Sequence, residues 1–325
     1  MLVLRPRPPI SLVAVYFCPK KGNIMKLSVI IPAYNCEKYI VQALTCIQTQ
    51  DFDVSEIEII IVLDCCTDNT AEIVKNFIKQ HPHMNIRVIT HDVNMGPAVS
   101  RNDAIAVARG DYIHFMDADD CINTSFYRRL YDACAHSNAD VAVSEFINER
   151  YPENSILFDT ELVLTHPQDK LDITRVDMNG YSCRYLISRR FWLKNKFCFP
   201  RDIRYCEDML PMTQMVITAP RLVCVPDARY IYKFRTGSML TTKSTKSQRD
   251  SDWHHAKHDV FSYLAQNDLQ RGGDAFSRVR YKLFGIFPVI IARINAARTT
   301  EKYYLFGILP ILKVRLTKYV RPWRV

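Results

Sequence analysis

The stretch LSVIIPAYN at residues 27–35 decides the fold of this chain. Its first six residues are mostly aliphatic, with little polar interruption, which is typical of a strand buried on both faces. The last four residues of the stretch, PAYN at 32–35, favour a turn. The segment CEKYIVQALTCIQTQ at 36–50 then places Ile40, Leu44 and Ile47 at helical spacing, so the stretch predicts a strand, a turn and a helix.

The same order repeats outward from this first unit. Short apolar strands alternate with amphipathic helices, which indicates an α/β domain with a mostly parallel sheet and right-handed crossovers. The predicted elements are a strand at 56–63, a helix at 67–80, a strand at 86–90, a helix at 97–109 and a strand at 111–116. Further strands are predicted at 140–146, 155–165 and 221–234, and helices at 189–196 and 206–217.

Polar residues follow the carboxyl ends of these strands. They are Asn35, Asp64, Asn94 and the acidic cluster at 117–120. In parallel sheets, ligands bind beyond the carboxyl ends of the strands. We therefore expect these residues to line one rim of the sheet.

The acidic cluster needs a positive partner. Within FMDADDCI at 115–122, Asp117, Asp119 and Asp120 stand directly behind an apolar strand. Carboxylates so close together repel one another, and burying even one unpaired charge costs several kcal/mol. A surface turn or a helix cap is the simpler interpretation of the acidic cluster taken alone.

Five motifs in order resemble glycosyltransferase family 2. They are SVIIPAYN at 28–35, LDCCTDNT at 63–70, NMGPAVSRN at 94–102, MDADD at 116–120 and CED at 206–208. Each motif alone has low specificity, whereas the joint match is specific. The resemblance implies a GT-A (Rossmann-like) sheet flanked by helices, and inverting transfer from a nucleotide-sugar donor.

The resemblance assigns most of the donor site. It implies that Asp119 holds Mg²⁺ or Mn²⁺, a hard cation that prefers oxygen ligands and bridges carboxylates to a diphosphate. Asp117 and Asp120 are its ribose or supporting partners. Asp64 matches the residue that contacts the base, although an aspartate at a strand end is more often a cap.

Further residues of the family pattern frame the donor and the acceptor. Pro32, Tyr34 and Asn35 would surround the nucleoside, Gly96 would allow close approach of the chain, and Arg101 would project towards the donor. Arg101 could equally be a surface arginine. Arg235 to Ser238 resemble a late segment of the family near the diphosphate.

Asp208 matches the catalytic base, which takes the acceptor proton. An acidic pair such as Glu207 and Asp208 at a helix start is also favoured by the helix dipole alone.

The chain departs from the family pattern beside Asp64. Leu63, Cys65 and Cys66 stand where relatives usually have acidic, glycine and serine residues. Two thiols in place of a small pair alter the approach of the backbone to the base. A UDP-sugar is the favoured donor, but the sequence leaves the base and the sugar open.

We interpret the chain as a sugar transferase acting on a lipid-linked or growing polysaccharide, as in capsule, exopolysaccharide or lipopolysaccharide assembly. A nucleotidyltransferase is a second class, but it needs a Gly-rich basic loop where this chain has AYNCEKY. A third class is an inactive nucleotide-sugar-binding module. The sequence does not identify the acceptor, the linkage or the oligomeric state.

Basic residues are concentrated in the C-terminal tail, residues 271–325, and not in the rest of the chain. Residues 271–325 hold twelve Lys and Arg against two acidic residues, a net +10, while the whole chain carries +9. The near-neutral body argues against nucleic-acid binding. A basic, apolar tail predicts attachment to the inner face of the membrane.

The expected division of the chain follows from these patterns. We expect a transferase domain at 25–240, with a mobile loop at 236–252, and a basic amphipathic helical tail at 241–325.

Two further expectations concern the N-terminal segment and the redox state of the cysteines. Residues 1–24 hold an apolar run too short for a membrane span, so we predict a disordered extension, with Met25 as a candidate start. The eleven cysteines are odd in number and scattered, without C-x-x-C spacing. We interpret them as reduced thiols of a cytoplasmic protein.

Overall fold

A computed structural model describes residues 25–235 and 246–269 in full, and the backbone of four strands between 277 and 315. The predicted extension at 1–24 and most of the predicted mobile loop lie outside the described residues. Within the described part, no helix is both long and apolar enough to cross a bilayer.

The main sheet is mixed and contains nine of the described strands. Their order is β3-β2-β1-β4-β8-β6-β9-β5, and β7 also pairs with β9. The bounds are β1 Leu27–Ala33, β2 Ile57–Asp64, β3 Asn85–His91, β4 Tyr112–Phe115, β5 Cys121–Ile122, β6 Val141–Asn148, β7 Leu162–Leu164, β8 Tyr185–Ser188 and β9 Leu222–Tyr232. The first four strands pair in parallel, as predicted.

Eight helices in the described part connect or flank these strands. They are α1 Ile40–Gln48, α2 Thr70–Gln80, α3 Pro97–Val107, α4 Phe126–Ser137, α5 Pro167–Thr174, α6 Arg189–Lys194, α7 Met209–Thr218 and α8 Lys246–Gln266. Three short 3₁₀ helices lie at Val54–Glu56, Pro152–Asn154 and Ser182–Arg184.

The sheet has an apolar layer on each face because successive strand residues point to opposite sides. Val29 and Ile31 of β1 pack with α1, α2 and α4. Ile30 of the same strand packs with the layer that includes α3, α5, α7 and α8. This burial on both faces explains the nearly continuous apolar sequence of β1 and β2.

Gly110 permits the tight entry into β4. A Cβ atom at this position would lie 2.5 Å from the backbone carbon of Leu27. The Gly110 amide donates to Ser28 Oγ at 2.8 Å, and Ser28 in turn donates to the buried Glu58 carboxylate at 2.6 Å. The glycine therefore fixes the amino end of the sheet, opposite the rim where the polar residues gather.

The structure of the tail agrees with the helical prediction over α8 and differs from it further along. Residues 246–252, part of the predicted loop, begin α8, whose Ala256, Val260 and Leu264 are buried in the layer around α7. Further along, β10 Ser277–Leu283, β11 Phe287–Ile294, β12 Thr300–Leu305 and β13 Leu309–Arg315 pair as a four-stranded antiparallel sheet.

The composition of the tail explains these strands. Tyrosines, phenylalanines and β-branched residues, which favour strands, are frequent there. Each of the near-repeats LFGIFP at 283–288 and LFGILP at 305–310 contains a Gly and a Pro, and the proline is the second residue of β11 and of β13. Gly and Pro disfavour a continuous helix, so apolar runs of this length are better suited to strands.

Candidate active site

The parallel strands bring the predicted polar residues to one rim. Because β1 pairs in register with β2 and β4, and β2 pairs with β3, their carboxyl ends lie side by side. Asn35, Asp64, His91 and Asp117 stand at or just beyond those ends. The sequence-based prediction of a shared rim agrees with this topology.

The three aspartates of the acidic turn occupy different environments. Asp117 is the open one, since 43% of its side-chain surface is exposed. Asp120 is buried, and its two oxygens accept from the Tyr230 hydroxyl at 2.8 Å and the Lys233 amide at 2.9 Å. Asp120 therefore anchors the turn to β9, while its contact with ribose stays a prediction.

Arginines supply the positive charge that the acidic turn requires. Arg235 forms an ion pair with Asp119 through its Nε atom. Burial raises the pKa of Asp119, the charge of Asp117 raises it further, and Arg235 opposes the shift. The pKa of Asp120 is raised well above its usual value, by burial first and then by its two acidic neighbours.

Arg101 joins the acidic turn to the segment before α7. It is buried, contacts Glu207 through Nη1, and places Nη2 3.1 Å from Asp117 Oδ1. Burial alone would lower the pKa of Arg101, but the charges of Glu207 and Asp117 raise it overall. The alternative of a surface arginine is therefore wrong.

Asp208 lies beside this ion-pair cluster. Its Oδ2 atom accepts from the backbone amide of Ser182 at 3.1 Å. Burial, followed by the charge of Glu207, raises the pKa of Asp208 to about 7. A carboxyl group with that pKa can exchange a proton near neutral pH, which suits a general base.

α8 supports the segment that carries Asp208. The buried Asp252 carboxylate accepts from the amides of Arg204 at 3.0 Å and Tyr205 at 3.1 Å. Cys206 then adopts a positive φ of 60°, a conformation that costs energy for a residue other than glycine. The surrounding contacts hold this strained backbone just before Glu207 and Asp208.

Asp64 organises the neighbouring loop. Its Oδ1 accepts from the Met95 amide at 2.8 Å and its Oδ2 from the Gly96 amide at 2.8 Å. His91 Nδ1 also lies 2.8 Å from Oδ1, and His91 Nε2 lies 3.3 Å from Asp103. Asp64 therefore fixes the start of α3, where Gly96 has a φ of 84°; its contact with a base stays a prediction.

The first turn is tied to the loop after β2. The Asn35 side chain accepts from the Thr67 amide at 2.8 Å and donates to the Thr67 hydroxyl at 3.0 Å. Tyr34 is exposed beside it, and Pro32 is partly buried at the end of β1. Cys65 has a φ of 58°, so the thiol residue keeps the left-handed backbone that glycine favours.

The acidic turn contains carboxylates of the kind that a divalent cation accepts as ligands. In the described part of the chain, no three His, Cys, Asp or Glu side chains are arranged to hold a metal ion. Mg²⁺, however, is commonly held by one or two carboxylates plus substrate phosphate oxygens. Asp117 and Asp119 are carboxylates that fit this mode, and the assignment of metal to Asp119 stays a prediction.

A family profile covers the strands and helices that build this rim. The profile of glycosyl transferase family 2 matches residues 28–195, about half of the chain. The chain belongs to this family. Its family membership, predicted from the five motifs, is thereby confirmed.

Curated relatives of this family 2 chain include bacterial glycosyltransferases. The poly(ribitol-phosphate) beta-N-acetylglucosaminyltransferase TarS of Staphylococcus aureus is 31% identical over 215 residues, which is 64% of this chain and 35% of TarS. Glycosyltransferase GlyG of Streptococcus pneumoniae is 27% identical over 268 residues, covering 78% of this chain and 85% of GlyG. The chain thus spans about a third of the length of TarS.

Solved structures confirm the GT-A type of fold. S. aureus TarS 1–349 in complex with UDP is similar at a TM-score of 0.63 and 26% identity, over 76% of this chain and 67% of that one. A mannosyltransferase from Pyrobaculum calidifontis is similar in fold at a TM-score of 0.54 and 17% identity, over 78% of this chain and 68% of that one.

Several residues of the site escaped the sequence-based prediction. Ser182 and Tyr230 lie far along the chain from the residues they contact, and no motif marks them. Asp252 falls in a polar run that predicts a loop. His91 did carry a usable signal, since it ends the strand IRVITH directly at the rim.

One pair of cysteines departs from the expectation of reduced thiols. Cys46 of α1 and Cys121 of β5 form a disulfide, with Cα atoms 5.9 Å apart. The other eight cysteines in the described part are free. Scattered spacing does not exclude a disulfide, because the fold brings together residues 75 positions apart.

Proposed function

We propose that the chain is an inverting glycosyltransferase that moves one sugar from a nucleotide-diphosphate sugar to a hydroxyl group of a glycan. One observation carries the proposal: Arg101 contacts both Asp117 of the acidic turn and Glu207, the neighbour of Asp208. Groups suited to a diphosphate and a group suited to accept a proton are thus within one cluster.

Asp208 is the proposed base. The acceptor oxygen attacks the anomeric carbon and passes its proton to the Asp208 carboxylate. The bond between the anomeric carbon and the diphosphate oxygen breaks, and the nucleoside diphosphate leaves with that electron pair. The pKa of about 7 lets the carboxylate be ionised before the step and basic enough to hold the proton.

The leaving diphosphate requires positive charge. Arg101 and Arg235 lie at the acidic turn and offset negative charge there in the absence of a metal. When bound, Mg²⁺ or Mn²⁺ held by Asp119, with Asp117 as a supporting partner, would supply further charge stabilisation for the leaving group.

A UDP-sugar is the proposed donor. This choice is supported by the likeness to TarS, whose 1–349 fragment has been solved with UDP and with UDP-GlcNAc. Pro32, Tyr34, Asn35 and Asp64 would frame the nucleoside, and the backbone at Cys65 keeps a positive φ. The proposed acceptor is a growing or lipid-linked polysaccharide.

The membrane proposal rests on the charge of the tail. The net +10 of residues 271–325 favours an anionic surface, and we propose that the enzyme works at the inner face of the membrane. Binding to anionic liposomes at low salt tests this proposal. Unchanged sedimentation with and without liposomes would refute it.

The central experiment replaces Asp208 by asparagine. Turnover of UDP-GlcNAc or UDP-glucose with a glycan acceptor should fall about 10²- to 10⁴-fold, the usual size of a general-base contribution. Donor affinity, measured by isothermal titration, should stay near wild type. Asp132→Asn, an exposed change on α4, is the matched control. Normal turnover of Asp208→Asn would move the base elsewhere, with Glu207 tested next.

A further inference from the structure

A stack of aromatic rings runs from the acidic turn towards Asp208. Phe146 of β6 lies in register with Tyr230 of β9, and their rings are nearly parallel, 5° apart in orientation and 6.3 Å apart between centroids. Tyr232, two residues further along β9, also stacks on Phe146, at 6.0 Å. The register of two paired strands therefore sets the stack.

Tyr181 forms the outer end of the stack. Its ring lies 4.7 Å from that of Phe146 with an interplanar angle of 19°, yet 40% of the residue is exposed. Phe146 covers one face of the ring, which leaves the other face without a stacking partner among the ring contacts of the described residues. Phe146 itself is buried, so Tyr181 is the residue of this pair that is open to solvent.

Both ends of the stack are attached to the proposed catalytic groups. At the inner end, the Tyr230 hydroxyl donates to Asp120 and accepts from the Asp117 amide at 3.1 Å. At the outer end, Ser182, the residue after Tyr181, donates its amide to Asp208 at 3.1 Å.

The loop that carries Tyr181 is held firmly beside the base. A Cβ atom at Gly180 would lie 2.5 Å from Cα of Met209, so the loop packs against the first turn of α7, directly after Asp208. Burial raises the pKa of Tyr181, and the nearby charges of Cys183 and Asp208 raise it further. Position and electrostatics both place the ring next to the proposed base.

We propose that Tyr181 is an acceptor-binding platform that stacks on a pyranose ring of the glycan and so presents its hydroxyl to Asp208. A pyranose ring offers one apolar face of C–H groups, which packs on the face of an aromatic ring. Tyr181 fits the acceptor rather than the donor sugar because its loop is attached to the base. The inference rests on the proposed function and narrows its acceptor to glycans that contain a ring sugar, as opposed to a linear polyol phosphate.

Saturation-transfer NMR on the full chain with UDP present tests the platform. The probe is methyl β-D-glucopyranoside, and ribitol 5-phosphate is the linear comparison. In the wild type, saturation should concentrate on the protons of one face of the pyranoside. Tyr181→Phe and Tyr181→Trp should keep this pattern, whereas Tyr181→Leu, which retains apolar bulk on Phe146 without a flat ring, should weaken binding about 5- to 10-fold.

Controls separate the platform from the fold and from the proposed function. Leu193→Ala, a change of an exposed apolar residue on α6, should bind like the wild type. Equal saturation of the pyranoside by Tyr181→Leu, or preference for ribitol 5-phosphate, would overturn the platform.

Donor binding is measured separately by titration of UDP and UDP-sugars. Failure of the wild type to bind any of them counts against the proposed function, whereas unaltered donor binding in Tyr181→Leu with lost pyranoside binding supports an acceptor role.

Discussion

Two groups of buried charge lie at opposite ends of the same sheet. At the amino end, the Glu58 carboxylate accepts from the Ser28 hydroxyl and from the Gly110 amide at 3.2 Å, and the Arg87 and Arg109 side chains lie 3.6 Å and 3.3 Å away. At the carboxyl rim, Arg101 pairs with Asp117 and Glu207, and Arg235 pairs with Asp119. Asp120 and Asp208 stand beside these pairs and accept from uncharged donors. One carboxylate therefore has two arginines at the first end, whereas the rim gathers more carboxylates than arginines.

The two groups of buried charge are suited to different roles. A carboxylate surrounded by donors is satisfied and holds the fold together. An excess of carboxylates at the rim destabilises the folded chain. This cost is visible in the raised pKa values of Asp119, Asp120 and Asp208. The pKa of Asp208 rises from 3.8 to about 7, so its contribution to stability is present below about pH 4 and is lost as the pH rises towards 7. Such a cost points to a role in chemistry.

The largest expected effect comes from Asp119→Asn. Both donor binding and turnover should fall, turnover by about 10³-fold or more, because the change removes the proposed metal carboxylate and its ion pair with Arg235. The melting temperature should change little, since the loss of that pair is offset by relief of repulsion from Asp117. Titration calorimetry and initial rates measure the two quantities. Full activity in a chelator-treated wild-type sample would contradict the metal assignment.

Glu58→Gln tests the other end of the sheet. We expect a loss of about 3 kcal/mol in the free energy of unfolding, because a buried charge network loses its central partner. The KM for the donor should be unchanged, since the residue lies at the amino end. Urea denaturation with Asp132→Asn as the control measures the loss. Stability equal to wild type would show that Glu58 contributes less than its contacts indicate.

His91→Gln should have a smaller, pH-dependent effect. Bonds to Asp103 and then to Asp64 raise the pKa of His91 from 6.5 to about 9. The stabilisation is complete below pH 6.5 and is lost as the pH rises through 9. We expect the wild type to exceed the variant by about 2 kcal/mol at pH 6 and to approach it at pH 10. The same difference in unfolding free energy between wild type and variant at both pH values would contradict this assignment.

The pH profile of turnover is the mildest test. If Asp208 must be ionised to accept the proton, kcat/KM should fall about tenfold per pH unit below the pKa near 7 and stay level above it. The fall of kcat/KM at acidic pH should be absent in Asp208→Asn and present in Asp132→Asn. A flat wild-type profile between pH 5 and 8 would assign the base to another group.

The alternating pattern of the sequence predicts much of the fold. LSVIIP, EIEIIIVL and the helices between them satisfy local rules, because a strand buried on both faces needs a continuous apolar run and a helix needs apolar residues at its own spacing. The predictions are weaker where one pattern fits two structures. The polar run that begins α8 resembles a loop, and the apolar runs that form β10 to β13 resemble helices.

The sequence by itself determined which residues could meet at the rim, because strand ends in a parallel sheet lie together wherever the chain runs. It could not determine the partners. Glu207 contacts Arg101 from 106 positions away, Tyr230 contacts Asp120 from 110, and Cys46 meets Cys121 across 75. Such pairs leave no local pattern, since they depend on how distant elements pack. The tertiary structure alone therefore decided which carboxylates are satisfied and which remain available for chemistry.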